Sequence, residues 1–348
     1  VSAFAMSLTD RPVLMQKLVI SPALDETRWT ALQAAAVELE VVNCASQAEA
    51  LAHMPEADAF FGRLTPELLR PARRLQWVQA PTASLEHYLF PELIAHPLCL
   101  TNMRGIFSDV VAEHALGLLF SISRNLHIYA RQQAQRIWSP AGGESERSDF
   151  ITGPGLVSEI DRRHRTLQGA TLGIIGCGGI GSALARKAAS LGMQILALDR
   201  QALSLSDVPG EVWPPERLPE LLRLSDYICI AAPHTPETQH LIRRPQLRQM
   251  RPTAWLLNVG RGSIVALEDL TQALHAGELA GAALDVLEVE PLPADHPLWT
   301  LPNVILTPHV AAADIQVPQR HLQLLLENVR RFSTGQPLLN IVQKQLWH

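Results

Sequence analysis

The chain has 348 residues, 47% of them hydrophobic and 18% charged, with a formal net charge of −5, a size and make-up that suit two α/β domains and exclude a disordered chain. No strong basic block points to a nucleic-acid partner, and no run reaches the roughly 18 to 20 uninterrupted apolar residues of a membrane span. The four cysteines, Cys44, Cys99, Cys177 and Cys229, are dispersed and form no C-x-x-C pair, so free thiols in a reducing cytoplasm are expected, with no metal site and no disulfide framework.

Residues 1–12 are too short and too polar for a signal peptide and read as a loose tail. Residues 14–20 predict a first strand, and residues 26–38 a helix with apolar positions at helical spacing. Shorter strands are expected at 40–43, 59–62, 75–79 and 98–101, with a helical turn starting at Pro66. This alternation predicts a flavodoxin-like or Rossmann-like unit that has no glycine-rich phosphate loop. Residues 109–133 predict one long helix, since Val110, Val111, Ala115, Leu118, Leu119, Ile122 and Leu126 give it a broad apolar face and no proline interrupts it. Its His114 and His127 read as packing or surface residues.

Residues 139–165 break the pattern with Gly142, Gly143, Gly153, Gly155 and many charges. A loop of this length suits a surface-lying or disordered segment, an active-site flap or a subunit contact. The run Arg162-Arg163-His164-Arg165 reads as a solvated connector.

The chain is organised around residues 171–200. A short apolar strand leads into Gly176-Cys177-Gly178-Gly179-Ile180-Gly181, a G-x-G-x-x-G. A helix-favouring run follows, and then a second apolar strand closed by Asp199. Gly176 permits the tight turn, Gly178 lets the backbone approach a pyrophosphate, and Gly181 lets helix and strand pack closely. The N–H groups of the helix start would face the phosphates, and Asp199 would accept from the adenosine ribose hydroxyls. A carboxylate there favours NAD; the neighbouring Arg200 keeps NADP open.

Further strands are expected at 227–232, 255–259, 281–286 and 304–307. Asp199, Arg261, Asp285 and His309 then stand at or just past four strand ends, where ligands of a parallel α/β sheet bind. Glu290 lies shortly beyond Asp285. A guanidinium can fork onto a carboxylate and polarise a carbonyl. An imidazole oriented by a neighbouring carboxylate can give that oxygen a proton as hydride arrives. Glu288 competes with Glu290 for the partner role, and position next to Pro291 favours Glu290.

The stretches GIIGCGGIG, AAPHTPET, LLNVGRGSIV, ALDVLEVEPLP and NVILTPHVA, in this order, resemble the D-isomer-specific 2-hydroxyacid dehydrogenase family, with a glyoxylate/hydroxypyruvate reductase-like cast. LTNMRGIFSDVVAEHALG and, more weakly, LQWVQAPTASLEHYL extend the likeness over most of residues 14–342. The resemblance implies two Rossmann-like α/β domains. One is a doubly wound parallel-sheet NAD-binding domain at 120–310, carrying the 139–165 insertion. The other is a flavodoxin-like substrate-binding domain at 14–119 plus 311–348, with the active site in the cleft between them. It implies Arg261 as the substrate-binding arginine, Glu290 as the partner carboxylate and His309 as the general acid/base. It implies cofactor contacts at Gly176, Gly178, Gly179, Ile180, Gly181, Asp199, Arg200, Pro233, Thr235, Val259 and Asp285, with Asp285 on the nicotinamide carboxamide. Backbone N–H groups of Ala83 and Ser84 would hold the substrate carboxylate, although the family usually has glycine where Ser84 stands and aspartate where Glu86 stands. The expected protein is a homodimeric NAD- or NADP-linked oxidoreductase of small 2-oxo acids. A dinucleotide-sensing scaffold of the same fold is the alternative, disfavoured by the presence of Arg261, Glu290 and His309.

Overall fold

The computed structural model describes residues 15–143, 155, 157–201, 208 and 210–347. Two compact units divide the chain, one made of Val1–Arg104 with Pro318–His348 and the other of Gly105–Val317.

The first unit alternates β1 (Gln16–Ser21), α1 (Glu26–Ala35), β2 (Leu39–Asn43), α2 (Gln47–His53), β3 (Ala59–Gly62), α3 (Pro66–Leu69), β4 (Trp77–Gln79), α4 (Pro91–Ala95) and β5 (Cys99–Thr101). All strand pairs are parallel, in the order β2-β1-β3-β4-β5, the flavodoxin-like order. Strands covered on both faces need apolar side chains in both directions, and β3 is accordingly buried at every position. The chain returns to this unit after the second. Gln79, fully buried at the end of β4, takes Nδ2–H of Asn328 and the hydroxyl of Thr101, each at 2.8 Å. Residues beyond Gly335 are built in too, with Ile341 bridging Thr101.

The second unit starts with α5 (Ser108–Ser123), α6 (Leu126–Gln135) and α7 (Glu159–Arg163). It continues through β6 (Thr171–Ile175), α8 (Gly179–Ser190), β7 (Gln194–Leu198), β8 (Val212–Trp213), α9 (Leu218–Leu224), β9 (Tyr227–Ile230), α10 (Arg244–Leu247), β10 (Trp255–Asn258), α11 (Leu267–His275), β11 (Gly281–Leu284) and β12 (Val304–Leu306). Seven parallel strands run β12-β11-β10-β9-β6-β7-β8, a doubly wound sheet whose direction of winding reverses between β6 and β9. The helix α12 (Val317–Ser333) then closes the first unit.

Several elements differ from the sequence reading, each for a local reason. The long helix is two helices, because Asn125 takes a left-handed backbone (φ 56°) between α5 and α6 and donates its side-chain amide to Arg163 O at 2.8 Å. Asparagine tolerates that conformation where most side chains do not. All of α5 belongs with the second unit, so the division falls at 104/105 and 317/318, where the sequence reading put 119/120 and 310/311. Val111, Ala112, Ala115, Leu118, Leu119 and Ile122 of α5 share one hydrophobic cluster with Ala183, Leu184 and Ala188 of α8. Part of the 139–165 segment is ordered as α7, opened by a reciprocal cap between Ser158 and Asp161. Residues 144–154 and 156 of it, and 1–14 at the start, lie outside the described residues.

Candidate active site

The register of the second sheet puts one row of strand ends in line. Leu198 of β7 pairs with Ile175 of β6, Ile175 with Ile230 of β9, Ile230 with Asn258 of β10, Asn258 with Leu284 of β11 and Leu284 with Leu306 of β12. Asp199, Gly176, Asp285 and the turns carrying Arg261 and His309 all start from this row. Because the strands are parallel, six loops open on the same edge.

At the β6 end the backbone fits a dinucleotide. Gly176 has φ 94°, and a Cβ there would stand 2.5 Å from the backbone of Ala232. A Cβ on Gly181 would stand 2.0 Å from Gly176 O, so only glycine lets α8 lie this close to β6. Gly178, by contrast, faces open space and caps α8 without a side-chain hydrogen bond. Gly179, Ile180 and Gly181 follow it in the first turn, the place where helix N–H groups have no intrahelical acceptor. Asp199 is held toward this turn by the N–H of Cys177 at 2.8 Å and of Gln201 at 3.0 Å. Arg200 reaches Glu237 Oε2 at 3.3 Å. Cys177 is buried, and that burial pushes its thiol up, which makes it a small filler of the turn. In the 233–238 turn, Thr238 donates to Pro233 O at 2.9 Å and accepts from Thr235 N at 2.8 Å. Thr235 itself is fully buried and shapes this turn, and Val259 is buried just past β10.

At the β10 end, Asn258 builds the turn that presents Arg261. Its side chain accepts from Gly260 N at 3.1 Å and donates to Arg261 O at 2.9 Å. Gly262 is required because a Cβ would lie 1.9 Å from Leu287 O. The Arg261 guanidinium donates to Gly260 O at 2.7 Å.

Beyond β11 the two candidate glutamates part company. Glu288 takes Leu267 N at the start of α11 at 2.9 Å and pairs with His240. Glu290 accepts from Leu287 N at 2.8 Å and meets His309 Nδ1 at 2.8 Å. With Nδ1 on a carboxylate, the ring of His309 has Nε2 left for a proton donor or acceptor role, and Nε2 has no hydrogen-bond partner among the described residues. The ring is half exposed, at 50%, so an incoming molecule can reach it. The pair borders a cavity of about 470 Å³ lined by Leu287, Pro291, Leu292, Trp299 and Leu306. Asp285 does not face outward. It is 2% exposed and accepts from Thr307 Oγ1, Val310 N and Ala311 N. Thr307 and His114, which lies 3.0 Å from it, were not foreseen in this network. A contact across 193 residues leaves no local sequence signal.

In the first unit, the loop after β4 is held by Asn102, whose side chain donates to Ala83 O at 2.8 Å, and by Thr82, whose hydroxyl donates to Ser84 O at 2.6 Å. The Ser84 hydroxyl donates to Glu86. The backbone N–H groups of Ala83 and Ser84 have no acceptor among the described residues.

Comparison with known proteins identifies the family of the chain. Residues 116–311 match the family model described as D-isomer specific 2-hydroxyacid dehydrogenase, NAD binding domain. A glyoxylate reductase of Thermofilum pendens is 33% identical over 311 residues, covering 86% of each chain. A crystal structure of a D-isomer specific 2-hydroxyacid dehydrogenase family protein from Aeromonas salmonicida superposes with a TM-score of 0.72 at 32% identity, over 94% of this chain and 99% of that one. A family member from Xanthobacter autotrophicus, solved in complex with NADPH and MES, gives 0.76 at 26% identity, over 95% and 99%. The chain belongs to the D-isomer specific 2-hydroxyacid dehydrogenase family. Within it, the protein is an NAD(P)-dependent oxidoreductase acting on 2-hydroxy and 2-oxo acids.

Proposed function

We propose that this enzyme reduces a small 2-oxo acid, glyoxylate or hydroxypyruvate first among them, to the D-2-hydroxy acid. The observation that carries the residue roles is the 2.8 Å pairing of His309 Nδ1 with Glu290 on the loop edge that also presents Arg261. Bound NADH or NADPH supplies the hydride that reaches C2. Arg261 forks onto the substrate carboxylate and polarises the C2 carbonyl. His309 Nε2 gives its proton to the carbonyl oxygen, and Glu290 balances the charge of the ring and fixes its tilt. An acid–base group of this kind contributes about 10²- to 10⁴-fold in rate. The N–H groups of Ala83 and Ser84 are further proposed donors to the carboxylate. Gly176, Gly178, Gly179, Ile180 and Gly181 would cradle the pyrophosphate, Asp199 would take the ribose hydroxyls, and Pro233, Thr235 and Val259 would line the cofactor's path. NAD is preferred to NADP in this reading, because a 2′-phosphate would meet Asp199 while Arg200 is turned to Glu237.

A homodimer is part of the same reading. Phe120, Leu126, Ile137 and Trp138 expose apolar surface on and just after α5 and α6, Trp138 at 94%, and such patches mark association sites. Light scattering should give twice the chain mass; a monomer would refute it. The compartment proposed is the reducing cytoplasm, in keeping with four free cysteines.

The activity is tested by following loss of reduced-nicotinamide absorbance with glyoxylate, hydroxypyruvate, pyruvate and phenylpyruvate, each with NADH and NADPH. Turnover fastest with glyoxylate or hydroxypyruvate and NADH is expected. Faster turnover of phenylpyruvate would overturn the small-substrate reading.

A further inference from the structure

The environment of Asp285 assigns a task to two residues outside the reacting group. A carboxylate only 2% exposed needs hydrogen-bond donors to remain there. Among the described residues, the three donors to the Asp285 carboxylate come from the segment carrying His309. Thr307 Oγ1 donates at 2.6 Å, Val310 N at 3.0 Å and Ala311 N at 3.0 Å. The backbone oxygen of Asp285 also accepts from His309 N at 2.9 Å. The segment is thus gripped on both sides of His309, whose own backbone sits at φ 52°, a conformation a non-glycine residue keeps only when its surroundings enforce it.

His114 completes the grip from α5. Its Nε2 lies 3.0 Å from Thr307 Oγ1 and 3.6 Å from Asp285 Oδ1. The single hydroxyl proton of Thr307 is taken by Asp285, so its oxygen can only accept from His114, which places the His114 proton on Nε2. We propose that Thr307 and His114 are positioning residues that, through Asp285, set the His309 ring opposite Glu290 without touching the reacting atoms. The proposal rests on the reading of His309 as the acid–base group. Displacement of a catalytic group by about 1 Å can lower turnover about a hundredfold, so partial loosening of this segment should act on kcat.

The test compares Thr307→Val, Thr307→Ser and His114→Phe with wild type, using NADH and the best 2-oxo acid. Thr307→Val, which removes the hydroxyl at nearly constant volume, should lower kcat about tenfold with little change in either KM. Thr307→Ser should restore most of the rate. His114→Phe should lower kcat in the same sense, and it carries the test alone if Thr307→Val does not fold. Wild-type kcat in both Thr307→Val and His114→Phe would overturn the proposal. So would a raised KM for NADH at unchanged kcat, which would make the segment a cofactor contact. His309→Ala separates the two layers. If it is inactive while Thr307→Val and His114→Phe run normally, only the positioning role falls; if it turns over normally, the acid–base reading falls with it.

Discussion

Both sheets are parallel, one of five strands and one of seven, and they differ also in how a central loop enters the next helix. In the first unit, β1 ends at Ser21 and α1 is capped by Asp25, whose carboxylate accepts from Arg28 N at 3.0 Å. In the second, β6 ends at Ile175 and α8 is capped by Gly178, with no side-chain hydrogen bond from the cap to its first turn. Both crevices use a glycine for close approach. A Cβ on Gly62 would lie 1.9 Å from Ser21 O, and one on Gly176 would lie 2.5 Å from Ala232. Close approach is therefore common to both, and the cap decides. At α1 a carboxylate stands at the positive end and accepts from Arg28 N, whereas α8 leaves its first-turn N–H groups to an anion.

The most severe way to break this contrast is to give α8 the cap of α1. Gly178→Asp has room for its side chain, so the chain should fold, yet its carboxylate would stand at the start of α8. NADH affinity, read by fluorescence titration, should fall about a hundredfold. Unchanged affinity would mean that the glycine turn does not hold the pyrophosphate.

A smaller effect is expected at the far end of the same cradle. Asp199→Ala should narrow the preference for NADH over NADPH by about tenfold, measured as the ratio of kcat/KM values. Preference that stays as in wild type would move the discrimination to another residue.

The smallest effect belongs to the first unit. Asp25→Ala should lower the thermal midpoint by a few degrees and leave NADH affinity alone. The backbone N–H and guanidinium of Arg28 hold the Asp25 carboxyl below its ordinary value. Its stabilising share is therefore full above the unfolded aspartate range and vanishes as pH falls through the lowered value. The gap between mutant and wild type should close in acid, and a gap that widens there would contradict the capping account.

What was legible in the sequence follows from how far apart the determinants lie. The glycine turn, its flanking strands and Asp199 form one continuous stretch, so spacing alone exposed them. Arg261, Glu290 and His309 were legible because each follows a short apolar strand by a few residues. The break at Asn125 was hidden, since helical periodicity continues across it and only the left-handed backbone interrupts it. Position next to Pro291 already favoured Glu290 over Glu288, and the structure parts them by contact, with His240 and Leu267 N on Glu288 and His309 on Glu290. The buried setting of Asp285 was hidden, because its donors come from another strand's loop and His114 from a distant helix.

The central claim is that His309, oriented by Glu290, handles the proton of the reduction. The most direct measurement is turnover of His309→Ala beside its NADH affinity, on one preparation. A fall in kcat of about 10²-fold or more is expected, with NADH binding retained. Turnover near that of wild type would contradict it.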